Sequence, residues 1–427
     1  MVQTFTLARL FGVLRDNRAF RRLYAANAVS QVGDWFNVVA LFSLLLQLTG
    51  SGEAVALVLQ TRLLPFFLVG PIAGVVADRV PRKLILIASD LSRCALVLCL
   101  LFVRRPDQVW IAYTAMTAHA ILSAFFEPAQ QALIPTLVKK DDLVLASTLE
   151  NSLWSGTLAV GSALGGLCLA AVGRDAAFVL DAASFLGSAA LLAGLPSAAA
   201  RPADKQAIEL SEELKDPAGG LANLFGLRDL REGFRYVSTD ARVRALLLAK
   251  ASFGLTLGGV LVLLPFFGEK VFGAANGAGI AVFWTARGIG SFAGPFAAFR
   301  LVGSDEQSLR RGISLAFLML VICYVGFAFS PVLLLAALCL AVANAGGSIL
   351  WTSGATLLQR LVPDEIRGRV AGADLFGMTL LMSLSTFVTG RLLDRGASPR
   401  ALMAACGLVA ALPLAFWALQ QRAFRER

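Results

Sequence analysis

Residues 70–90 read GPIAGVVADRVPRKLILIASD. One apolar run ends in this stretch, a short charged turn follows, and a second apolar run begins. The turn carries the pattern Gly74-x-x-x-Asp78-Arg79-x-Pro81-Arg82-Lys83. Apolar runs joined by so short a link read as membrane spans, because about 20 mostly apolar residues cross a bilayer. An aspartate at a helix end caps free amides, and bases beside it hold a loop against anionic headgroups.

The remainder of the chain follows the same grammar. Hydrophobic residues make up 57% of 427 positions and charged ones 15%, against about 25% charged in a soluble domain, so lipid is the solvent for much of the chain. Twelve spans are expected near 21–48, 53–77, 83–103, 108–134, 145–172, 175–195, 243–267, 276–300, 309–329, 331–355, 367–392 and 399–420. The longest polar break divides the chain into an N-terminal half (1–196), a cytoplasmic central loop (197–241) and a C-terminal half (242–427). In that loop Leu224, Leu227, Leu230, Phe234 and Val237 recur at helical spacing, which predicts an amphipathic helix along the inner membrane surface.

The net charge of +10 gathers at span ends rather than on one soluble face, which points to the bilayer and away from nucleic acid. Most of the 38 Lys and Arg fall on the side that carries both termini. The positive-inside rule then makes this a multi-pass protein of the cell (inner) membrane with both termini cytoplasmic. The N-terminus lacks a signal-peptide core and reads as a cytoplasmic lead-in. The six cysteines all lie in apolar runs without a Cys-x-x-Cys, as buried free thiols do.

The two halves are related by a shift of 224 residues. It sets Gly70-Pro71-x-Ala73 on Gly294-Pro295-x-Ala297, Leu137-Val138 on Leu361-Val362, Gly166 on Gly390, and Asp16-x-Arg18 on Asp240-x-Arg242. Six spans per half keep the copies in the same orientation, a parallel repeat about an axis along the membrane normal. Such repeats build transporters with a substrate site near midplane between the halves.

The turn from Gly74 to Lys83 resembles the signature between the second and third helices of the major facilitator superfamily, with Pro81 where that signature has glycine. Ser30-Gln31-Val32-Gly33-Asp34, Phe126-x-Pro128-Ala129 and Pro363-x-Glu365-x-Arg367-Gly368-Arg369 resemble its bacterial drug-efflux branch, the macrolide-efflux-like and enterobactin-exporter-like proteins. Gly161-Ser162-x-x-Gly165-Gly166 is similar to the antiporter motif, with Ser162 in the place of proline. The resemblance implies an all-α fold of two six-helix halves and a central cavity lined by helices one, two, four, five and their repeats. It also implies a conformational latch at Gly74, Asp78, Arg79, Arg82 and Lys83, in which Asp78 binds the cytoplasmic start of the eleventh helix in the outward-open state.

Ionisable residues inside spans cost about 2.5–3.5 kcal/mol each if they face lipid, so each is expected to face a partner or a cavity. Asp34, Arg62, Glu127 and Arg287 are the candidates for proton coupling. An acid that alternates between a buried and an ion-paired environment takes up and releases a proton, and Arg62 is the cation expected beside Asp34. A fixed ion pair between helices is the competing reading. Glu150, Gly161, Gly165, Gly166, Arg367, Gly368 and Asp374 read as gate or packing residues. Asp90 with Arg93 at i, i+3 reads as a local ion pair outside the cavity, Asp181 likewise, and the sole histidine, His119, as a packing residue. Trp154, Trp284 and Trp351 lie on expected cavity helices, either as packing or as a stacking surface for an apolar substrate.

The sequence carries no nucleotide-binding loop and no metal-spaced His/Cys cluster, so it predicts neither an enzyme nor a cofactor. The expectation is a monomeric secondary transporter exporting small amphipathic molecules in exchange for protons. The alternatives are a lysolipid flippase or solute importer of the same fold, or a non-transporting membrane sensor or scaffold.

Overall fold

Each half starts in the same way, with a short helix, a capping side chain and a long span. In the first half α1 (Leu7–Asp16) leads to α2 (Arg18–Thr49), where the Asn17 side chain accepts from the amide of Phe20. In the second, α8 (Leu227–Thr239) leads to α9 (Ala241–Phe266), where Asp240 accepts from the amides of Arg242 and Val243. Partial burial works against the charge of Asp240, but these amides and the Arg242 guanidinium outweigh it and hold the carboxyl below its usual range. The two caps lie 223 residues apart, one off the 224-residue shift, so the halves share the order of helix, cap and span but not the same cap position.

The computed structural model describes residues 7–196, 227–274, 276–301, 303 and 305–420. Leu224 and the rest of 197–226 lie outside the described residues. Between α2 and α8 come α3 (Gly52–Arg79), α4 (Arg82–Cys99), α5 (Val109–Leu137), α6 (Leu143–Val172) and α7 (Arg174–Ala193). After α9 come α10 (Ala278–Leu301), α11 (Glu306–Phe329), α12 (Leu333–Leu361), α13 (Asp364–Asp394) and the broken pair α14 (Pro399–Val409) and α15 (Ala411–Gln420). Among the described residues, 11 helices are long and apolar enough to cross a membrane. The remaining long one, α10, is interrupted by Arg287 and by Gly288, Gly290 and Gly294 but is held among the others by α6 and α12.

Small residues decide how the halves meet. A Cβ on Gly52 of α3 would lie 2.7 Å from the Gly390 carbonyl of α13, and one on Gly390 would lie 2.6 Å from the Gly52 carbonyl. Nearby, Gln60 of α3 donates to the Ser383 carbonyl of α13 (2.6 Å). At the other end of the same helices a Cβ on Gly74, Gly368 or Gly372 would meet nothing within 4 Å. The pair α6 and α10 repeats this V. A Cβ on Gly166 would lie 2.1 Å from Ala281 and one on Gly288 would lie 2.3 Å from the Ala159 amide, whereas Gly156 has nothing within 4 Å. Close helix approach through small residues is how spans associate without a hydrophobic drive. The end away from the termini is closed, and the end carrying them is open.

Polar contacts reinforce the closed end. Asp394 at the end of α13 accepts from the Ser51 hydroxyl (2.6 Å), the Gly52 amide (2.6 Å) and the Glu53 amide (3.0 Å). An acid from one half thereby satisfies the orphan amides that start a span of the other. Lys270 donates to the Gly50 carbonyl (2.8 Å), and Ser43 donates to Glu269 (2.5 Å).

The amphipathic helix expected in the central loop is α8. Its Glu232 pairs with Arg369 of α13 at 2.7 Å, and Phe234 meets Phe376 edge to face at 5.8 Å. The helix is therefore docked on the first turns of α13, a protein contact that the apolar periodicity of a single segment does not specify.

The Asp394 cap generates a prediction. Removing a cap acceptor costs about 1 kcal/mol, so Asp394→Ala should shift the conformational equilibrium toward opening of this end about fivefold. Distances between paired spin labels on the two loops at the closed end would read the shift. An unchanged distance distribution would show that the cap does not hold this end.

Candidate functional site

Ser30-Gln31-Val32-Gly33-Asp34 builds one wall of the site residue by residue. Ser30 donates to the Asn27 carbonyl one turn back, and Gln31 accepts from Thr157 of α6 at 3.0 Å. Gly33 is required by α7, because a Cβ there would lie 2.0 Å from the Ser184 hydroxyl and 2.7 Å from Asp181. Through that gap Asp181 reaches Asn37, which donates to it at 2.9 Å. Asp34 points toward α5, where His119 Nε2 lies 3.3 Å from its carboxylate.

Two expectations need revision. Packing is only part of what His119 does: its buried ring packs against Phe185 at 5.6 Å, and the same ring neighbours Asp34. Arg62, expected in that place, makes no ion pair with Asp34, although its charge and that of Arg93 both act on the carboxylate at longer range. Asp90 and Arg93 do form the buried i, i+3 pair, but the guanidinium also sits over the rings of Phe126 (4.4 Å) and Phe185 (4.7 Å). Phe185 thus joins Arg93 to His119, so a pair expected to stand apart from the cavity belongs to the same cluster as Asp34.

The Glu127 side chain is exposed and has no hydrogen-bond or ion-pair partner among the described residues. Arg93 lies within electrostatic reach of Asp34, Asp90, Glu127 and Asp181, Arg62 within reach of Asp34 and Asp181, and His119 beside Asp34. Carboxylates outnumber guanidiniums in this cluster, and one oxygen of Asp181 has no donor among the described residues. A buried acid in that position is stable only with a proton or a mobile partner.

The other candidates fall into separate groups. Glu150 of α6 accepts from Asn27 (3.1 Å) and Gln130 (2.9 Å) and so ties α2, α5 and α6 together. Asp374 of α13 pairs with the buried Lys250 of α9, whose ammonium lies 4.7 Å above the Trp351 ring. Gly161 and Gly165 bring α6 onto Trp35 and Phe36 of α2, and Gly166 brings it onto α10. Arg367 pairs with Asp364 and donates to the Gln359 (3.0 Å) and Val362 (3.3 Å) carbonyls, closing the end of α12. Arg287 of α10 donates from Nε to Asn344 of α12 at 3.2 Å and lies over the Trp284 ring at 4.5 Å.

In the turn that opens the sequence, Arg82 is buried and donates to the Ala132 carbonyl of α5 at 2.8 Å. Lys83 donates to the Ala193 (2.7 Å) and Leu195 (2.8 Å) carbonyls beyond α7. Lys83 completes the C-terminus of α7, where orphan carbonyls and the dipole favour a cation, and Arg82 ties the turn to the last part of α5. Arg79 is exposed, and the Asp78 side chain lies outside the described residues.

A profile of the family described as transmembrane secretion effector matches residues 11–426. The chain belongs to that family of major facilitator transporters. The uncharacterized MFS-type transporter YfiS of Bacillus subtilis is 28% identical over 185 residues, 43% of this chain and 44% of that protein. Macrolide efflux protein A of Streptococcus pyogenes is 26% identical over 257 residues, 59% of each chain. The chain spans about half the length of the curated relatives it matches. Among solved structures, a bacterial homologue of the human lysosomal transporter Spinster, in an inward-facing and unoccupied conformation, superposes with TM-score 0.68 at 16% identity over 99% of both chains. The nucleoside transporter NupG superposes with TM-score 0.72 at 11% identity, over 94% of this chain and 99% of that one. These likenesses establish the major facilitator fold.

The Asp90–Arg93 pair yields a stability prediction. Arg93→Leu leaves Asp90 buried and unpaired, and loss of one partner of such a pair costs about 3–5 kcal/mol. The double variant Asp90→Leu/Arg93→Leu removes both charges and should recover most of that loss. Thermal unfolding of the purified variants, followed by tryptophan fluorescence, reads both values. Equal destabilisation by the single and double variants would mean that Arg93 acts through its ring contacts alone.

Proposed function

We propose that the protein is a secondary active exporter that moves small amphipathic molecules out of the cell in exchange for protons. One observation carries this reading: contacts between the halves converge at one end, while the cleft at the other leads to a cluster with more carboxylates than guanidiniums. By the positive-inside rule the open end faces the cytoplasm, so the conformation awaits substrate from inside the cell. Rocking of the halves about the tight glycine contacts would open the other side.

In this scheme Asp34 and Glu127 exchange protons with the cavity. His119, Arg62 and Arg93 set the charge that Asp34 meets in each state. When the cytoplasmic end closes, the turn from Gly74 to Lys83 approaches the start of α13, and Asp78 caps its free amides as the latch. Arg82 and Lys83 already brace that turn within its own half, so they act as struts for the latch. Glu150 and Asp374 tie helices within each half, and Gly161, Gly165, Gly166, Arg367 and Gly368 shape the gates. The partners are small molecules, protons and the bilayer, and the protein works as a monomer.

A lysolipid flippase is the second reading. A cavity of about 340 Å³ beside the cleft, lined among others by Tyr24, Val32, Ser152, Gly156 and Phe292, lies between α2, α6 and α10 and favours it.

The test uses everted liposomes whose lumen is more acidic than the bath, with a panel of anionic, neutral and cationic amphipathic dyes and a fluorescent lysolipid. The wild type should accumulate at least one dye in proportion to the pH gradient. Asp34→Asn and Glu127→Gln should each lose that proportionality while remaining folded. Undiminished gradient dependence in both variants would end the proton role, and movement of the lysolipid alone would favour the flippase.

A further inference from the structure

The buried cations of the spans are not equivalent. Arg93 has Asp90 and Lys250 has Asp374 as ion-pair partners. Arg287, only 7% exposed, has no carboxylate of the described residues within ion-pair distance. It spends one donor, Nε, on the neutral amide of Asn344, and its two terminal nitrogens donate to no described residue. A second orphan donor lies one turn away on the same helix, the buried indole Nε1 of Trp284. A guanidinium without a counter-charge is expensive inside a membrane protein. Its planar fork matches a carboxylate, sulfonate or phosphate, which it binds through two parallel hydrogen bonds.

Its surroundings place this group at the inner limit of the cleft. Trp284 is ring to ring with Trp35 of α2 at 5.5 Å and with Phe42 at 5.9 Å. Trp35 in turn meets Trp154 of α6 at 6.3 Å, and Trp154 is 49% exposed. On α12, Asn344 stands two turns from Trp351, on the same face, and Trp351 is 45% exposed. An aromatic path therefore runs from exposed tryptophans to the uncompensated guanidinium, with both halves contributing.

We propose that Arg287 binds the anionic group of an amphipathic substrate whose apolar, flat body lies along Trp35, Trp154 and Trp284. This deepens the exporter reading by naming the substrate class, and it rests on that reading for the direction of movement. The anion is the shared chemistry of two sources, an aromatic organic acid and the phosphate of a lysolipid. In the absence of substrate, Arg287 rests against the Trp284 face, where a cation–π contact offsets part of its cost.

The test measures equilibrium binding to the protein in nanodiscs, with empty nanodiscs as reference. The aromatic pair is 8-anilino-1-naphthalenesulfonate against N-phenyl-1-naphthylamine, which share a ring body and differ by the sulfonate. The lipid pair is lysophosphatidic acid against monoacylglycerol of the same chain. The wild type should prefer the anionic member of at least one pair by about tenfold or more, as a charged hydrogen bond implies. Preference in the aromatic pair identifies an organic acid, and preference in the lipid pair alone identifies a lysolipid. Arg287→Gln should lose the preference while binding of the neutral member stays unchanged, and Arg287→Lys should retain part of it. If Arg287→Gln fails to fold, the Lys variant decides, since a loss of bidentate geometry lowers the preference without removing the charge. Equal binding of both members of each pair by the wild type, or an intact preference in either variant, would overturn the proposal. Because binding needs no pH gradient, failure of gradient-driven transport would sink the exporter reading and leave this assignment standing.

Discussion

Gly52 and Gly390 meet backbone to backbone, and the cleft depends on that contact. Any larger residue at either position would push α3 and α13 apart where they now cross. The same holds for Gly166 against Ala281 and Gly288 against Ala159 on the other side of the interface. Both helix pairs are pinned at one end, and the glycines toward their other end face open space. The cleft is thus a consequence of where the small residues lie along four spans, and it needs no special loop. Asp394 adds a polar lock to a junction that steric fit already defines.

Charge is handled differently in the two halves. In the N-terminal half a set of acids is drawn into one cluster with Arg62, Arg93 and His119, and the Arg93 guanidinium stacks on Phe126 and Phe185. In the C-terminal half Lys250 and Asp374 neutralise one another, which leaves Arg287 alone against Asn344 and Trp284. The desolvation cost of an unpaired charge is the same in either half. An acid can escape it by taking up a proton at ordinary pH, whereas a guanidinium cannot lose one. The two halves therefore leave different charges unbalanced in their spans, carboxylates in one and a guanidinium in the other.

The architecture was largely legible in the sequence, because apolar run length and the 224-residue repeat depend on residue type alone. Span edges such as Arg18–Thr49 and Arg174–Ala193 fall within a few residues of the expected bounds. The site was less legible. Asp34 is visible as an acid in an apolar run, but nothing along the chain says that its neighbour is His119 rather than Arg62. Both lie on other spans, and helix rotation decides which faces Asp34. Gly33 offered a signal in hindsight, since a glycine beside a buried acid marks a close approach by another helix. The sole histidine, two turns before Glu127 on the same span, offered another. Arg82 and Lys83 show a further limit, since the motif says nothing of the carbonyls of their own half to which they donate.

That last point alters how the signature turn works. A latch made of mobile charges would have to organise its turn each time it closed, at an entropic cost for every long side chain. Here Arg82 and Lys83 tie the start of α4 to α5 and to the end of α7 while the end that carries the termini is open. The turn is thus anchored to its own half through two of its bases. The docked α8 sits on the first turns of that same helix through Glu232 and Arg369. Any approach of the turn to the start of α13 must therefore meet a surface that the central helix has already stiffened.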